Sequence, residues 1–378
     1  MMIVRSLVRL CTLLYILFVL YCLFPTICRF LDWARQTSPW SGQKWVEQAW
    51  IPTDAELQCL NGSYNSHSSR SSDSKHQPSP SRAPIPNIVH FNFGLKPPLP
   101  DSSTRRQFGF LNYLAVRAAL LSLSPEKTYL HYTYLSSPPS PDPFESPLLN
   151  FWVRRLTKQG VKLIHHPPSR NQQPDRYAHL SDTLRLEALI AQGGIYLDVD
   201  AFALRPFDAL LSPNSPDAIL GHEGGNRWGL CNAVIVSRPN STFLKRWLAS
   251  YEAADLSSEW NYHSVRLPKL LADDSSSADL GRGEAKEVCT LPPDAFFWPT
   301  WTWRHVEWMH SPLSKLEAEE WEDRIELNGG SLFENQLAYH AWSQMAWDRH
   351  LKWLTPARVR RRDTRFNLLV RRFLEDDL

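Results

Sequence analysis

The chain has 378 residues, 43% of them hydrophobic and 21% charged, with a formal net charge of +2. That length buries one large core or two small ones. The near-neutral balance excludes a surface adapted as a whole to a polyanion, so no nucleic-acid partner is expected. Sixteen tryptophans and twelve tyrosines fit a Trp-rich core first and a carbohydrate-lined surface second.

Leu10 to Cys28 carries no charge and is flanked by Arg5, Arg9 and Arg29. At about 19 residues it just reaches bilayer-spanning length, and no small-x-small cleavage site follows near Pro25-Thr26. The expectation is a cytoplasmic tail over 1–9, a transmembrane signal anchor over 10–28, and a lumenal body. Residues 29–86 then form a juxtamembrane region, with Trp33, Trp40, Trp45 and Trp50, and a stem. Serine, proline and scattered charge from Asn61 to Pro86 cannot bury a core. Asn61-Gly62-Ser63 and Asn240-Ser241-Thr242 are glycosylation sequons.

The folded domain is expected over 87–355. Ile88, Val89 and Phe91 make a first strand. Arg105 to Ser122 makes a helix with Phe108, Leu111, Leu114, Ala115 and Ala118 on one face. A strand over Thr128 to Tyr134 follows, then a helix over Leu148 to Gln159 and a strand over Val161 to His165. From Ser181 a helix runs to the stop at Gly193-Gly194, and Ile195 to Val199 reads as a buried strand. Strands at Ala218 to Leu220 and Ala233 to Val236 flank a glycine-rich loop, and Phe243 opens another helix. Strand–helix alternation predicts an α/β fold with a mostly parallel sheet. Asp273 to Glu287 reads as a surface insertion. Residues 356–378 read as a basic C-terminal tail, a solvated amphipathic helix in preference to a membrane-contacting one.

Six cysteines show neither a CxxC nor a zinc spacing. A Cys231–Cys289 disulfide is open if the domain is lumenal; two buried free thiols are the alternative.

The chemistry concentrates in Ser181 to Asp200, SDTLRLEALIAQGGIYLDVD. Asp198 and Asp200 interrupt an apolar strand two residues apart, and a buried carboxylate without a partner is costly. A divalent cation, Mn²⁺ or Mg²⁺, is the simplest partner for hard oxygen ligands. At the carboxyl end of a strand, such a cation would hold a diphosphate and neutralise a departing nucleotide. The alternatives are an aspartate that caps the following turn and, for Asp198, a ribose contact. Upstream, Asp182 and Arg185 lie three residues apart on one helix face. They are either a surface ion pair or part of the same pocket.

The block SDTLRLEALIAQGGIYLDVDAFALRPFDALL resembles the family 32 glycosyltransferases with a DxD sugar-binding region. These include fungal initiating mannosyltransferases and inositol-phosphoceramide mannosyltransferases. Ile85-Pro86-Asn87-Ile88-Val89-His90-Phe91 is similar to the family's first strand, and Gly229 to Pro239 to its strand after the DxD. His340-Ala341-Trp342-Ser343-Gln344-Met345-Ala346-Trp347 resembles its terminal block more loosely, because serine and tryptophan are not adjacent. The strong match covers roughly residues 85 to 250.

The resemblance implies a GT-A-like fold, type II topology in the Golgi or endoplasmic reticulum membrane, and retention of anomeric configuration. It implies a nucleotide-sugar donor, GDP-mannose or a UDP-hexose, and a glycan or glycolipid acceptor. It leaves open a hetero-oligomer with other transferases. By it, Asp182 and Arg185 bind the donor sugar, and Asp198 reaches ribose and metal. Asp200 binds the metal, and His340 is a further metal or diphosphate ligand. Asn232 faces the sugar or acceptor. His340 as a packing residue and Asn232 as a turn residue are the plain alternatives. Asn261-Tyr262-His263-Ser264 and the Trp298–Trp308 cluster are expected near an acceptor.

Two other classes compete. A metal-dependent phosphohydrolase or phosphotransferase would want a DxDxT/V signature, but Phe202 stands two residues after Asp200. A non-catalytic lumenal carbohydrate-binding protein would be expected to lose Asp200 or Arg185, and both are present.

Overall fold

The protein is described by a computed structural model over residues 9–24, 46, 51–63, 82–96, 107–135, 146–168, 177–253, 261–279 and 287–378. Helix α1 covers 9–24 and exposes its apolar side chains, among them Leu13, Phe18 and Phe24. Among the described residues no helix is long and apolar enough to cross a membrane. The expected transmembrane span over 10–28 is therefore not supported: a helix covers it only as far as residue 24, and 25–28 lie outside the described residues. So do most of the expected stem and Trp33, Trp40, Trp45 and Trp50.

Helix α2 (Asp54–Leu60) opens with a capping box: the Thr53 hydroxyl accepts from the Glu56 amide, and Glu56 reaches back to the Thr53 amide. Then follow β1 (Ile88–Phe93), α3 (Phe110–Leu123), β2 (Lys127–Tyr132), α4 (Phe151–Lys158), β3 (Lys162–His165), α5 (Tyr177–Gln192), β4 (Gly194–Leu197) and β5 (Ala201–Ala203). β6 (Ala218–Glu223), β7 (Gly229–Ser237), α6 (Thr242–Ala253), a π-helical turn (Tyr262–Arg266), α7 (Leu267–Asp279) and β8 (Val288–Leu291) come next. The chain closes with α8 (Trp303–His310), α9 (Lys315–Leu327), β9 (Ala338–His340), α10 (Ser343–Ala346), α11 (Pro356–Arg361) and α12 (Arg365–Arg371).

Seven strands form one mixed sheet in the order β3-β2-β1-β4-β7-β6-β8. β1 to β4 run parallel; β7 is antiparallel to both β4 and β6; β8 is parallel to β6. The sheet is mostly parallel and flanked by helices, as expected.

Its two faces follow the two-residue period of a strand. Ile195, Leu197, Ile219, Val234 and Val236 join a core with α3 on one face. Tyr196, Leu220 and Ile235 join Leu186 and Leu189 of α5 and Phe243 and Trp247 of α6 on the other. Such two-sided burial turns each central strand into a continuous apolar run.

Gly194 has φ +104°, and a Cβ there would stand 2.3 Å from the Ile88 carbonyl oxygen. Only glycine lets β4 start that close to β1.

Three expectations change. First, the disulfide joins Cys59 to Cys289, with Cα atoms 5.9 Å apart, while Cys231 is a buried free thiol. The bridge ties α2 to the edge strand β8. Glu56 reinforces the tie by accepting from Arg227 at 2.6 and 2.9 Å. Second, the acidic insertion is in its first part the C-terminal portion of α7. Third, the segment read as a solvated tail is packed. Phe366, Leu369, Val370 and Phe373 are buried in the main core, and the arginines between them reach carbonyls, Arg371 that of Val359 at 3.0 Å.

Candidate active site

The DxD does not lie within a strand. β4 ends at Leu197, and Asp198, Val199 and Asp200 form the turn into β5, closed by the Ala201 amide on the Asp198 carbonyl at 2.8 Å. β5 pairs antiparallel with β9, Ala201 opposite His340. This two-stranded ribbon carries His340 to the DxD from 140 residues downstream.

Asp200 is thereby held on both oxygens. Its Oδ1 lies 3.1 Å from His340 Nε2, and its Oδ2 accepts the Ser343 amide at 2.9 Å. Burial alone would raise the Asp200 pKa. The His340 charge and the hydrogen bonds from His340 and Ser343 outweigh it and hold the carboxyl well below its ordinary range. Burial works the other way on His340, and the Asp200 carboxylate overcomes it, so the imidazole pKa is raised.

One ligand atom each from Asp198, Asp200 and His340 lies within 4.8 Å of the others. Two carboxylates and an imidazole suit a divalent cation of the Mn²⁺ or Mg²⁺ kind. The His340 Nδ1 is buried with no partner. Asp198 remains the most open of the three, its side chain 28% exposed.

Asp198 also belongs to a second group. Arg185 Nη1 stands 3.1 Å from Asp198 Oδ1 and donates to the Asn232 carbonyl at 2.8 Å. Arg185 Nη2 stands 3.2 Å from Asp182 Oδ1. Asn232 Nδ2 donates to the same Asp182 oxygen at 2.7 Å. The Tyr196 hydroxyl donates to Asp198 Oδ1 at 2.7 Å, and the Arg185 guanidinium lies 4.5 Å above the Tyr196 ring. Burial raises the Asp182 pKa, against the pull of Arg185 and Asn232. Arg185 stays charged: burial is outweighed by the charges of Asp198 and Asp182.

Asp182, Arg185 and Asn232 thus meet at Asp198, and Asp198 meets Asp200 and His340. These six residues singled out in the sequence converge at the carboxyl end of the central strand β4. The sequence reading missed Tyr196, Ser343 and Glu223. Tyr196 read only as a strand residue, although a tyrosine buried mid-strand calls for a partner to its hydroxyl. Ser343 acts through its amide, which no side chain announces. Glu223 sits at the carboxyl end of β6, accepts from the Trp301 indole at 2.9 Å, and has its pKa raised by burial.

A mixed α/β sheet with a DxD turn at the carboxyl end of a parallel strand, backed by a buried Asp–Arg–Asn network, defines a candidate sugar-nucleotide transferase. Comparison with known proteins bears on the class. The family described as "Glycosyltransferase sugar-binding region containing DXD motif" matches residues 148–217. The "Glucan organizing enzyme 1" of Cryptococcus neoformans var. grubii serotype A is 36% identical over 300 residues, covering 77% of this chain and 71% of the relative. Among solved structures, the apo glycosyltransferase GlyE of Streptococcus pneumoniae TIGR4 aligns with a TM-score of 0.41 and 13% identity, over 77% of this chain and 61% of GlyE. The PaToxG glycosyltransferase aligns with a TM-score of 0.38 and 16% identity, over 55% of this chain and 78% of PaToxG. The chain belongs to the DxD glycosyltransferase family, the family 32 type. It is an enzyme of the glycosyltransferase class, not a phosphohydrolase.

Proposed function

We propose that this glycosyltransferase moves a hexose from a nucleotide sugar to a glycan acceptor with retention of anomeric configuration, aided by Mn²⁺ or Mg²⁺. The observation that carries this reading is the sharing of Asp198 between two groups: the Arg185–Asp182–Asn232 network and the Asp200–His340 pair.

Asp200, His340 and one Asp198 oxygen would hold the cation. When bound, the cation supplies Lewis-acid stabilisation of a diphosphate leaving group. Asp182 and Arg185 offer an acceptor and a donor to sugar hydroxyls. They are preorganised because Asn232, Ser181 and Tyr196 fix their rotamers, with Arg185 donating to Ser181 Oγ at 3.1 Å. The site holds its charges in place before substrate arrives, which is how electrostatic stabilisation is delivered at low reorganisation cost.

The donor is GDP-mannose or a UDP-hexose. The name of the cryptococcal relative favours a glucan-type polysaccharide over a glycolipid as acceptor. The Cys59–Cys289 bridge supports an oxidising compartment such as the Golgi or endoplasmic reticulum lumen. The exposed apolar surface of α1 supports membrane association there, and with it a single-pass type II arrangement. Asn61 and Asn240 are both exposed, as acceptors of glycans must be.

The test is a panel of nucleotide sugars with Mn²⁺, scored for hydrolysis and transfer by wild type and by Asp200→Ala. Turnover of one donor is expected for wild type, with a loss of at least ~10²–10³-fold in the variant. Undiminished turnover by Asp200→Ala would remove the metal role.

A further inference from the structure

Beyond Asp182, away from the DxD, lies a buried cluster of polar rings. His179 sits one helical turn before Asp182 on α5. Its ring centroid is 5.9 Å from that of Tyr251 on α6 and 5.9 Å from that of His263, and the Tyr251 and His263 rings are 5.0 Å apart. Tyr251 is 7% exposed and His263 4%. Three imidazole nitrogens of this cluster are buried with no hydrogen-bond partner: His179 Nδ1 and both ring nitrogens of His263. The Tyr251 hydroxyl lies beside Asp182, whose charge and hydrogen bond both act on it.

This grouping is costly. A buried polar atom left unpaired forfeits its hydration with nothing in return, and folded proteins pair nearly all of theirs. The position of His263 is also enforced. It lies on the π-helical turn Tyr262–Arg266, a geometry that recurs at functional sites. Trp247 Nε1 donates to its carbonyl at 2.8 Å. From the other side the turn is seated on the start of β7, where a Cβ on Gly229 would stand 2.3 Å from Val265 Cγ1 and 2.9 Å from the Val265 carbonyl oxygen. Glycine at 229 permits this approach, three residues before Asn232 of the Asp182 network.

Imidazoles and a phenol offer both donors and acceptors, and their ring faces suit the C–H surface of a pyranose. A carboxylate or phosphate would meet the nearby Asp182 charge, and an apolar group would leave the three imidazole nitrogens unpaired. We propose that His179, Tyr251 and His263 form a second hydroxyl-binding subsite, continuous with Asp182, that receives a pyranose of the transfer reaction. The proposal rests on the reading that Asp182 and Arg185 face the donor sugar. The pyranose is either the far edge of the donor hexose or the terminal sugar of the acceptor, which share the same hydroxyl chemistry.

Two variants test it, Tyr251→Phe, which removes one hydroxyl and keeps the ring, and His263→Phe. The first readout is independent of turnover: saturation-transfer NMR of methyl α-D-mannopyranoside and methyl α-D-glucopyranoside on the full chain with Mn²⁺ and UDP or GDP. The second is a pair of Michaelis constants, for the donor in acceptor-free hydrolysis and for the acceptor in transfer. Each variant is expected to weaken glycoside binding ~3–10-fold, the loss of one hydrogen bond, and to raise one KM by more than it lowers kcat. A rise in donor KM assigns the subsite to the donor hexose; a rise in acceptor KM alone assigns it to the acceptor. If His263→Phe melts well below wild type, Tyr251→Phe carries the decision. No glycoside binding by wild type, or unchanged binding and unchanged KM values in Tyr251→Phe, overturns the subsite. If wild type turns over no nucleotide sugar, it is the transferase reading of Asp182 that fails, and the NMR arm still decides the subsite.

Discussion

The site has two halves built in opposite ways. Around Arg185, every group comes from α5, β4, β7 or the turn that follows β4, and the charges answer one another inside the protein: two carboxylates on one guanidinium, with amide and phenol donors completing the set. Around Asp200, one carboxylate meets an imidazole and an amide delivered by a three-residue ribbon from the far end of the chain. The first half is a satisfied network that stabilises the fold. The second is left ready for an added charge, with an unpaired buried nitrogen on His340. The difference separates charges already balanced within the protein from charges that a cation would balance, and each half predicts a different response to damage.

The largest effect on stability is expected in the Arg185 half. Arg185→Ala strands Asp182, only 8% exposed, without its counter-charge. Removing one partner of a buried ion pair costs about 3–5 kcal/mol, so the urea midpoint should fall sharply. Asp200→Ala, in contrast, should lower it by much less, because His340 can lose its proton. If both variants are equally destabilised, the two halves are not different in kind.

The sequence made one half far more legible than the other, for a physical reason. Asp182 and Arg185 are helix neighbours, and Tyr196 and Asp198 lie two residues apart, so a 20-residue window holds most of the Arg185 group. The β5–β9 ribbon leaves no such trace. Ala201–Ala203 and Ala338–His340 are each three residues long and fully buried, too short for any period to register. His340 was reachable only through the resemblance of its flanking block. The disulfide failed similarly. Cys59 fell in the expected juxtamembrane region, because α2 is short and its hold on the domain, through Glu56 to Arg227 and Cys59 to Cys289, is entirely non-local. In the C-terminal segment the arginines drew the eye to solvent. The spacing of Phe366, Leu369, Val370 and Phe373 already described a core-facing helix, and Arg365 lies over the Trp308 ring at 4.2 Å instead of in water.

The Asp200 half should respond to metal where the other does not. At a Mn²⁺ concentration 100 times its Kd, a site present only in the folded state adds about 2.7 kcal/mol of stability. Thermal melts of wild type should therefore rise with Mn²⁺ and return with EDTA, while Asp200→Ala stays flat. A rise of equal size in Asp200→Ala would place the cation elsewhere.

Without metal, pH distinguishes the halves by sign. Asp200 has a lowered pKa when folded, so its stabilisation is present above the unfolded carboxyl pKa, near 4, and is lost as pH falls through the folded value. His340 has a raised pKa, so its stabilisation is present below the unfolded imidazole pKa, about 6.5, and is lost as pH rises through the folded value. The pair contributes most between about pH 4 and 6.5. Asp182, raised by burial, acts oppositely: its ionisation opposes folding once pH exceeds about 4. In EDTA, the stability gap between wild type and His340→Asn should be widest near pH 5–6 and close as pH rises through the raised imidazole pKa, whereas the Arg185→Ala gap should show no such closing.

The smallest effect tests how complete the Arg185 network is. Tyr196→Phe removes one hydroxyl that donates to Asp198 Oδ1 at 2.7 Å, and leaves the ring under the guanidinium. Asp198 keeps Arg185 at 3.1 Å and is partly open to water, so the carboxylate is not left unpaired. A loss of about 1 kcal/mol is expected, within the range for one hydrogen bond, together with a looser Asp198. Because Asp198 is the residue common to both halves, that loosening should also weaken Mn²⁺ binding, read as a smaller metal-induced rise in melting temperature. A Tyr196→Phe protein that loses stability but binds Mn²⁺ as wild type does would mean that the two halves share a residue without sharing its order.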